Sequence, residues 1–321
     1  MSRRRGTVLV VAPAADSHAR AVLAELRRRR VPATSFDTAR FPERATLALH
    51  LDAGSSWRGA LRSGDALDPE RVRAVWWRRP EPYRLHPSLR GRRRDGAFCA
   101  ADDALGAFWS ALDARWVNDP ARDEAAEHKP RQLALAARLA LAIPETLVTN
   151  DPAAARAFVA ARPDGATIHK NVTGAPALLR HTALARQGDR ALFASVRHLP
   201  LMIQERVPGT DLRVTVVGDD LFAAEIDVEA DPVDVRAALP RARMRPVPLP
   251  PAVASKLQRF VRALGLTYAA LDLRRREDGE HVFLEVNPSG EWLYVERRTG
   301  QPVTAAVATL LARVARRTSP Q

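Results

Sequence analysis

Cysteine occurs once, at Cys99, in 321 residues. That excludes an internal disulfide framework and suits a reducing cytoplasm. No apolar stretch approaches the ~20 residues of a membrane span, so no transmembrane segment is expected. The basic start SRRRGTVLVVAPAA imitates an export signal, but its apolar run is short and leads straight into the helix-like AVLAELRRRR. It reads as a first strand. No G-x-G-x-x-G follows that strand, which leaves a dinucleotide site unsupported. Internal repeats are absent. Lysine is the scarcest of the common charged residues: only Lys129, Lys170 and Lys256 stand among 50 basic side chains. Lysine is a compact point charge on a flexible stem, whereas arginine is a planar fork. In a composition this committed to arginine, a retained lysine marks a place that the fork does not fit.

What is present describes a globular protein of two or three subdomains, 46% hydrophobic and 27% charged. The net charge is +13 and the isoelectric point about 11.1. Because arginine carries nearly all of it in an Ala- and Pro-rich chain, the charge is weak evidence for nucleic acid and better evidence for an acidic substrate.

The most informative stretch is 267–291, TYAALDLRRREDGEHVFLEVNPSGE. Asp278-Gly279 between two apolar runs is a strong hairpin signal, since a two-residue type I′ turn needs φ > 0 at both central positions. Counting back from that pair sets Glu277 opposite Glu280, Arg275 opposite Val282, Leu273 opposite Leu284 and Asp272 opposite Glu285. Side chains alternate faces, so Asn287 shares the face of Glu285. Directly opposed carboxylates destabilise a sheet and raise one pKa unless something positive lies between them. Here Leu271, Leu273, Phe283, Leu284 and Val286 flank the acids, where unpaired charge is costly. Two carboxylates and an amide oxygen are hard ligands of the kind Mg²⁺ accepts.

Along the chain, residues 6–37 read strand–helix–strand, and 44–62 a β-meander turning at Ala53-Gly54-Ser55. RVRAVWWRRP gives another strand whose Trp76 and Trp77 point to opposite faces, so that at most one is core. Residues 81–96 read as a basic loop and 98–113 as a helix spaced by Phe98, Leu105, Phe108, Trp109 and Leu112. Residues 121–142 read as one helix with Lys129 before Pro130 in its first turn. Strands follow at IPETLVTN, TIHKNV (carrying Lys170, then Gly174) and LMIQERV, with a helix from Asp151-Pro152 to Ala160. DLRVTVVGDDLFAAEIDVE is a second hairpin turning at Gly218-Asp219. The proline-rich 240–251 reads as a linker, 251–265 as an amphipathic helix and 301–317 as a closing helix.

The ordered set of a lysine before a helix, a lysine in a strand, Q-E-x-V, D-x-R-V-T-V-V-G and D…E-x-N resembles the ATP-grasp ligases from about residue 125 onward. WWRRP, KPRQLALAA, IPETLVTN, DLRVTVVGDDLFAA and FLEVNPSGEWLYVERRTG bring the resemblance closer, to the peptide maturases of the microviridin (graspetide) type. That resemblance implies an α/β chain in three parts: a Rossmann-like pre-ATP-grasp domain at 1–120, a small lid-side ATP-grasp subdomain at 121–203, and a C-terminal subdomain with the metal hairpin at 204–321. It implies ATP and Mg²⁺ as cofactors. Lys129 and Lys170 would hold phosphates, Gln204, Glu205 and Val207 would line the adenine, and Asp211 would lie near the ribose. Asp272, Glu285 and Asn287 would hold Mg²⁺. Arg213 and Arg236 would face the transferred phosphoryl group and the substrate carboxylate, although Val235 replaces the aromatic residue usual between Asp234 and Arg236.

The implied reaction activates side-chain carboxylates of a ribosomal precursor peptide, with leader and acidic core, as acyl phosphates that a hydroxyl or amine attacks to close a macrocycle. The basic run at 90–94 is an expected surface for the acidic core, and the hairpin around Gly218 for the leader. Neither nucleic acid nor membrane is an expected partner, the location is expected to be cytoplasmic, and the resemblance leaves room for a homodimer. A ligase that extends a protein tail or joins free amino acids would carry the same metal site. An ATP-binding module without chemistry and a basic nucleic-acid binder are readings from other classes.

Overall fold

A computed structural model describes residues 6–51, 57–172, 182–228, 233 and 235–316. The expected turn at 53–55, Gly174 and Asp234 lie outside the described residues. The chain divides into two compact units, residues 1–119 with 304–321, and residues 120–303.

The first unit is built on β1 (Thr7–Val11), α1 (Ser17–Arg28) and β2 (Ala33–Phe36). A meander follows, β3 (Thr46–Leu51), β4 (Trp57–Ser63) and β5 (Asp65–Leu67), and then β6 (Val72–Trp77), α2 (Gly91–Ser110) and β7 (Arg115–Val117). Strands run in the parallel order β2-β1-β6-β7. Parallel sheets are covered on both faces and read as continuous apolar runs, and Val8, Leu9, Val10 and Val11 of β1 are all fully buried. Leu9, Val11, Val72 and Val75 pack with Leu105, Phe108 and Trp109 of α2. Asp16 caps α1, its Oδ1 accepting from the Ala19 N–H at 2.6 Å.

Trp76 is buried, whereas Trp77 is half-buried and packs edge-on to Trp109 and Trp116 at 6.1 and 6.0 Å. The basic stretch expected as a loop is partly helical, since α2 begins at Gly91. Arginine is a good helix former, and two glycines hid that from the sequence pattern. Phe98, expected in the apolar stripe, is exposed and lies tilted against Tyr83, with ring centroids 5.2 Å apart.

The second unit begins with two helices where one was expected, α3 (Pro120–Ala126) and α4 (Lys129–Arg138). Pro130 has no N–H to give to a preceding turn, so a helix can start there but not pass through. Next come β8 (Thr146–Thr149), α5 (Pro152–Ala160), β9 (Thr167–Asn171), β10 (Ala183–Leu184), α6 (Arg190–Val196) and β11 (Leu201–Glu205). The strands form an antiparallel sheet in the order β10-β9-β11-β8. On β11, Leu201 and Ile203 face α5 and α6, while Met202 joins the cluster of the larger sheet.

That larger sheet holds β12 (Thr210–Val217), β13 (Asp220–Asp227), β14 (Arg243–Pro246), β15 (Tyr268–Arg275) and β16 (His281–Asn287), in the order β14-β13-β12-β15-β16. Part of the expected linker is therefore an edge strand, β14. Helix α7 (Pro251–Ala263) buries Leu257, Phe260 and Val261 against Leu212, Val214, Val216, Leu271, Leu273 and Phe283. Helix α8 (Leu293–Thr299) follows, and α9 (Val303–Arg316) closes the chain. Expected as part of the C-terminal subdomain, residues 304–316 cluster instead with the first unit, where Arg29 donates to the Thr309 hydroxyl at 2.5 Å. An amphipathic helix shows in its pattern that it has a partner, not which one.

Candidate active site

The β15–β16 hairpin keeps the expected pair: Asp272 lies opposite Glu285. It arrives there by two departures that cancel. Gly279 donates to the Arg276 carbonyl and Arg276 to the Glu280 carbonyl, so the loop has three residues, Glu277-Asp278-Gly279, with Gly279 at φ 88°. A three-residue loop of this kind needs its last residue in the left-handed region. The register near the tip is consequently shifted, with Arg275 opposite His281 and Leu273 opposite Phe283. A bulge at Leu284 then restores it, since one extra residue stands between Phe283 and Glu285. Leu284 is turned from the core and lines the same cavity as Glu285.

On the face of the large sheet away from α7, polar side chains gather beside the hairpin. Arg213 of β12 sits beside Asp272 of β15 in register, and its Nη1 donates to Asp272 Oδ1 at 2.8 Å while Nη2 donates to the Glu291 carbonyl at 3.0 Å. Gly290 permits this approach: a Cβ there would come within 2.3 Å of the Ala270 side chain and 3.0 Å of Arg213. Tyr268 holds the same turn, its hydroxyl donating to the Gly290 carbonyl at 2.7 Å. Lys129, at the start of α4, donates to Glu285 Oε2 at 2.5 Å. The opposed carboxylates thus each meet a cation. Asn287 accepts from the Ser289 N–H at 2.9 Å through Oδ1, which leaves a second lone pair on that oxygen.

All the sequence-predicted site residues except Arg213 and Asn287 line one cavity of the second unit: Lys129, Lys170, Gln204, Glu205, Val207, Asp211, Arg236, Asp272 and Glu285. Ile168, Arg206 and Arg274 complete much of its wall. Gln204 is buried, its amide donating to the Thr146 hydroxyl at 2.8 Å. The Glu205 carboxylate accepts from Arg276 at 2.8 Å, and Asp211 lies 3.7 Å from Arg274. These side chains already hold the segment to the hairpin strand.

Charge is concentrated here. Burial lowers the pKa of Lys170 to about 8; Lys129 and Arg236 push the same way, while Glu285 and Asp272 oppose them. Burial alone would raise Glu285, but Lys129 and Lys170, with Arg236, hold it well below the usual carboxylate range. Arg213 is likewise desolvated, and Asp272 more than compensates, keeping it charged. A cavity lined by two lysines and two carboxylates, with the Asn287 amide on the same sheet face beside it, can hold a polyphosphate with its cation.

Sequence reasoning missed Arg274, which period two from Asp272 would have found, and Gln132, a polar residue on the inner side of α4. Nothing in the sequence marked Leu284 as a bulge.

A family model described as the MvdD pre-ATP grasp domain matches residues 7–124. The solved structure of macrocyclase MdnC from Microcystis aeruginosa MRC, bound with precursor peptide MdnA, is 26% identical, with a TM-score of 0.83 over 96% of this chain and 99% of that one. Macrocyclase MdnB from the same organism is 29% identical, with a TM-score of 0.81 over 95% and 99%. The ATP-grasp ligase PsnB, complexed with a minimal precursor, is 28% identical, with a TM-score of 0.78 over 96% and 99%. No curated protein matches the chain. With a match to the MvdD pre-ATP grasp domain at its start and the macrocyclase fold over nearly its whole length, the chain is similar to the ATP-grasp ligases of the graspetide-maturase type.

Proposed function

We propose that the protein uses ATP to activate Asp or Glu side chains of a ribosomal precursor peptide and closes them onto hydroxyl or amine side chains as macrocyclic esters or amides. The observation that carries this reading is the cavity itself, in which Lys129, Lys170, Arg236, Asp272 and Glu285 converge between a small sheet and the metal hairpin. Macrocyclase MdnC has been solved bound with its precursor peptide, and PsnB with a minimal precursor, Mg and ADP.

In this reading residues 121–203 and 204–303 act as the two ATP-grasp subdomains. Lys129 and Lys170 bind phosphate oxygens, and the segment from Gln204 to Val207 lines the base. Asp211 lies on the ribose side. Asp272, Glu285 and Asn287 fit Mg²⁺ by donor type and by shared sheet face, and the ion neutralises phosphate oxygens when bound. Lys129 then exchanges its partner, from Glu285 to phosphate. Arg213, held by Asp272 and the Glu291 carbonyl, keeps a fixed positive charge beside the reacting centre. Arg236 faces the incoming carboxylate. The γ-phosphoryl passes to that carboxylate and ADP leaves. The acceptor then attacks the acyl carbon, loses its proton and expels phosphate. Water must be kept out, or the acyl phosphate hydrolyses.

The experiment is a stoichiometry. With ATP, Mg²⁺ and a precursor, each bond formed removes one water from the peptide and releases one ADP and one phosphate, and tandem mass spectra show a core that resists fragmentation. AMP in place of ADP would refute acyl-phosphate chemistry. A linear product heavier by one amino acid would move the case to a tail-extending ligase.

A further inference from the structure

Strand β16 is the outer strand of the large sheet, and its Glu285 and Asn287 stand on either side of Val286. An edge strand leaves every second backbone N–H and C=O unpaired. Here several of those groups have protein partners. The Phe283 N–H donates to the Ala142 carbonyl at 2.8 Å, on the segment that follows α4. On the other side of the bulge, the Val286 N–H donates to Gln132 Oε1 at 3.0 Å, and Gln132 Nε2 donates to the Val286 carbonyl at 2.9 Å. A side-chain amide thus takes the place of one residue of a neighbouring strand. The second hydrogen of that Nε2 goes to the Ala126 carbonyl at 2.7 Å, at the end of α3. Gln132 is 2% exposed and both ends of its amide are used.

Gln132 lies one helical turn after Lys129, on the same side of α4. One side chain therefore ties three things together: the joint between α3 and α4, the helix that begins with Lys129, and the strand that carries Glu285 and Asn287. We propose that Gln132 is the positioning residue that sets the distance between Lys129 and Glu285, and so the seat of the metal–phosphate pair. The inference rests on the metal reading given above and concerns what holds that seat in place. Buried amides cannot be dropped at no cost, but apolar packing would have served stability equally well. A bidentate amide fixes direction as well as distance.

The test is binding, not turnover. The affinity of the full-length protein for ADP is measured by calorimetry, with Mg²⁺ and with a chelator, for the wild type, Gln132→Met and Gln132→Glu. Methionine keeps the length and abolishes every hydrogen bond. Glutamate keeps an acceptor for the Val286 N–H and loses both donations, serving as the milder variant if methionine does not fold. In the wild type, Mg²⁺ tightens ADP binding. In a folded variant that gap shrinks by about 10- to 100-fold, the range seen when residues that orient metal ligands are removed. A variant that melts earlier but keeps the wild-type gap overturns the inference, because Gln132 then only stabilises. Absence of any Mg²⁺ effect in the wild type would overturn the metal reading, and this inference with it.

Discussion

The two principal sheets use their faces differently. In the parallel sheet of the first unit both faces are packed: Leu9 and Val11 point one way, Val8 and Val10 the other, and all four are fully buried. In the antiparallel sheet of the second unit one face is packed throughout, by Leu212, Val214, Leu271, Leu273 and Phe283, and the other only in part, where Val217, Tyr268 and Ala270 are buried. Its other face carries Asp211, Arg213, Asp272, Arg274, Glu285 and Asn287. Antiparallel strands come without crossover helices, so one face is free to take polar side chains. A sheet that must stay covered can offer chemistry only at its strand ends, whereas one that leaves part of a face to polar side chains can offer neighbouring positions on adjacent strands. The charged row is also self-neutralising, with Arg213 on Asp272 and Lys129 on Glu285.

If that contrast is right, damage to the two faces separates. Glu285→Gln keeps size and removes one charged ligand, so Mg²⁺-dependent turnover drops roughly 100-fold or more. Near-UV circular dichroism stays that of the wild type, and a loss of fold would break the comparison. Lys170→Arg falls nearly as far as Lys170→Ala, the two lying within about tenfold of each other, since a planar fork does not replace a point charge in a tight phosphate pocket. Steady-state kinetics with saturating peptide decide it.

Trp76→Ala gives the reverse result. It costs about 3–5 kcal/mol in denaturant unfolding, while ADP affinity per folded molecule is unchanged at low temperature. A smaller effect concerns protons. Lys170 titrates near 8 in the folded protein, below its ordinary value, so the folded state binds fewer protons than the unfolded one between those two values. Stability consequently rises with pH through that window. Phosphate oxygens beside Lys170 reverse the shift, so ADP binding takes up a proton near pH 8 and weakens above it. Calorimetry in buffers of different ionisation enthalpy reads that proton directly. The smallest effect is expected from Lys256→Arg, within about 0.5 kcal/mol. Lys256 donates to the Ala140 carbonyl at 2.6 Å on an exposed surface, and arginine reaches as well.

The sequence made the second unit's chemistry legible because its strands alternate and its lysines are few. Period two placed Asp272, Glu285 and Asn287 on one face without any knowledge of the sheet. The opposed pair survived a wrong loop length only because the bulge at Leu284 compensates, and no residue type announces a bulge. Strand β14 was hidden by its prolines, which edge strands tolerate and sequence patterns penalise. The break between α3 and α4 was visible in Pro130, yet the apolar spacing on both sides reads as one helix. The charge partners of Asp272 and Glu285 lie 59 and 156 residues away in sequence, and only the fold brings them together.

The return of residues 304–316 to the first unit has a consequence for biosynthesis. Domains usually fold in the order in which the ribosome delivers them, N-terminal first. In this chain, everything the second unit needs has been synthesised by Val303, before the helix that joins the first unit has emerged. The second unit can therefore mature while the first is still waiting for its last element. A nascent chain stalled a few dozen residues past 303 should protect the second unit from protease before the first.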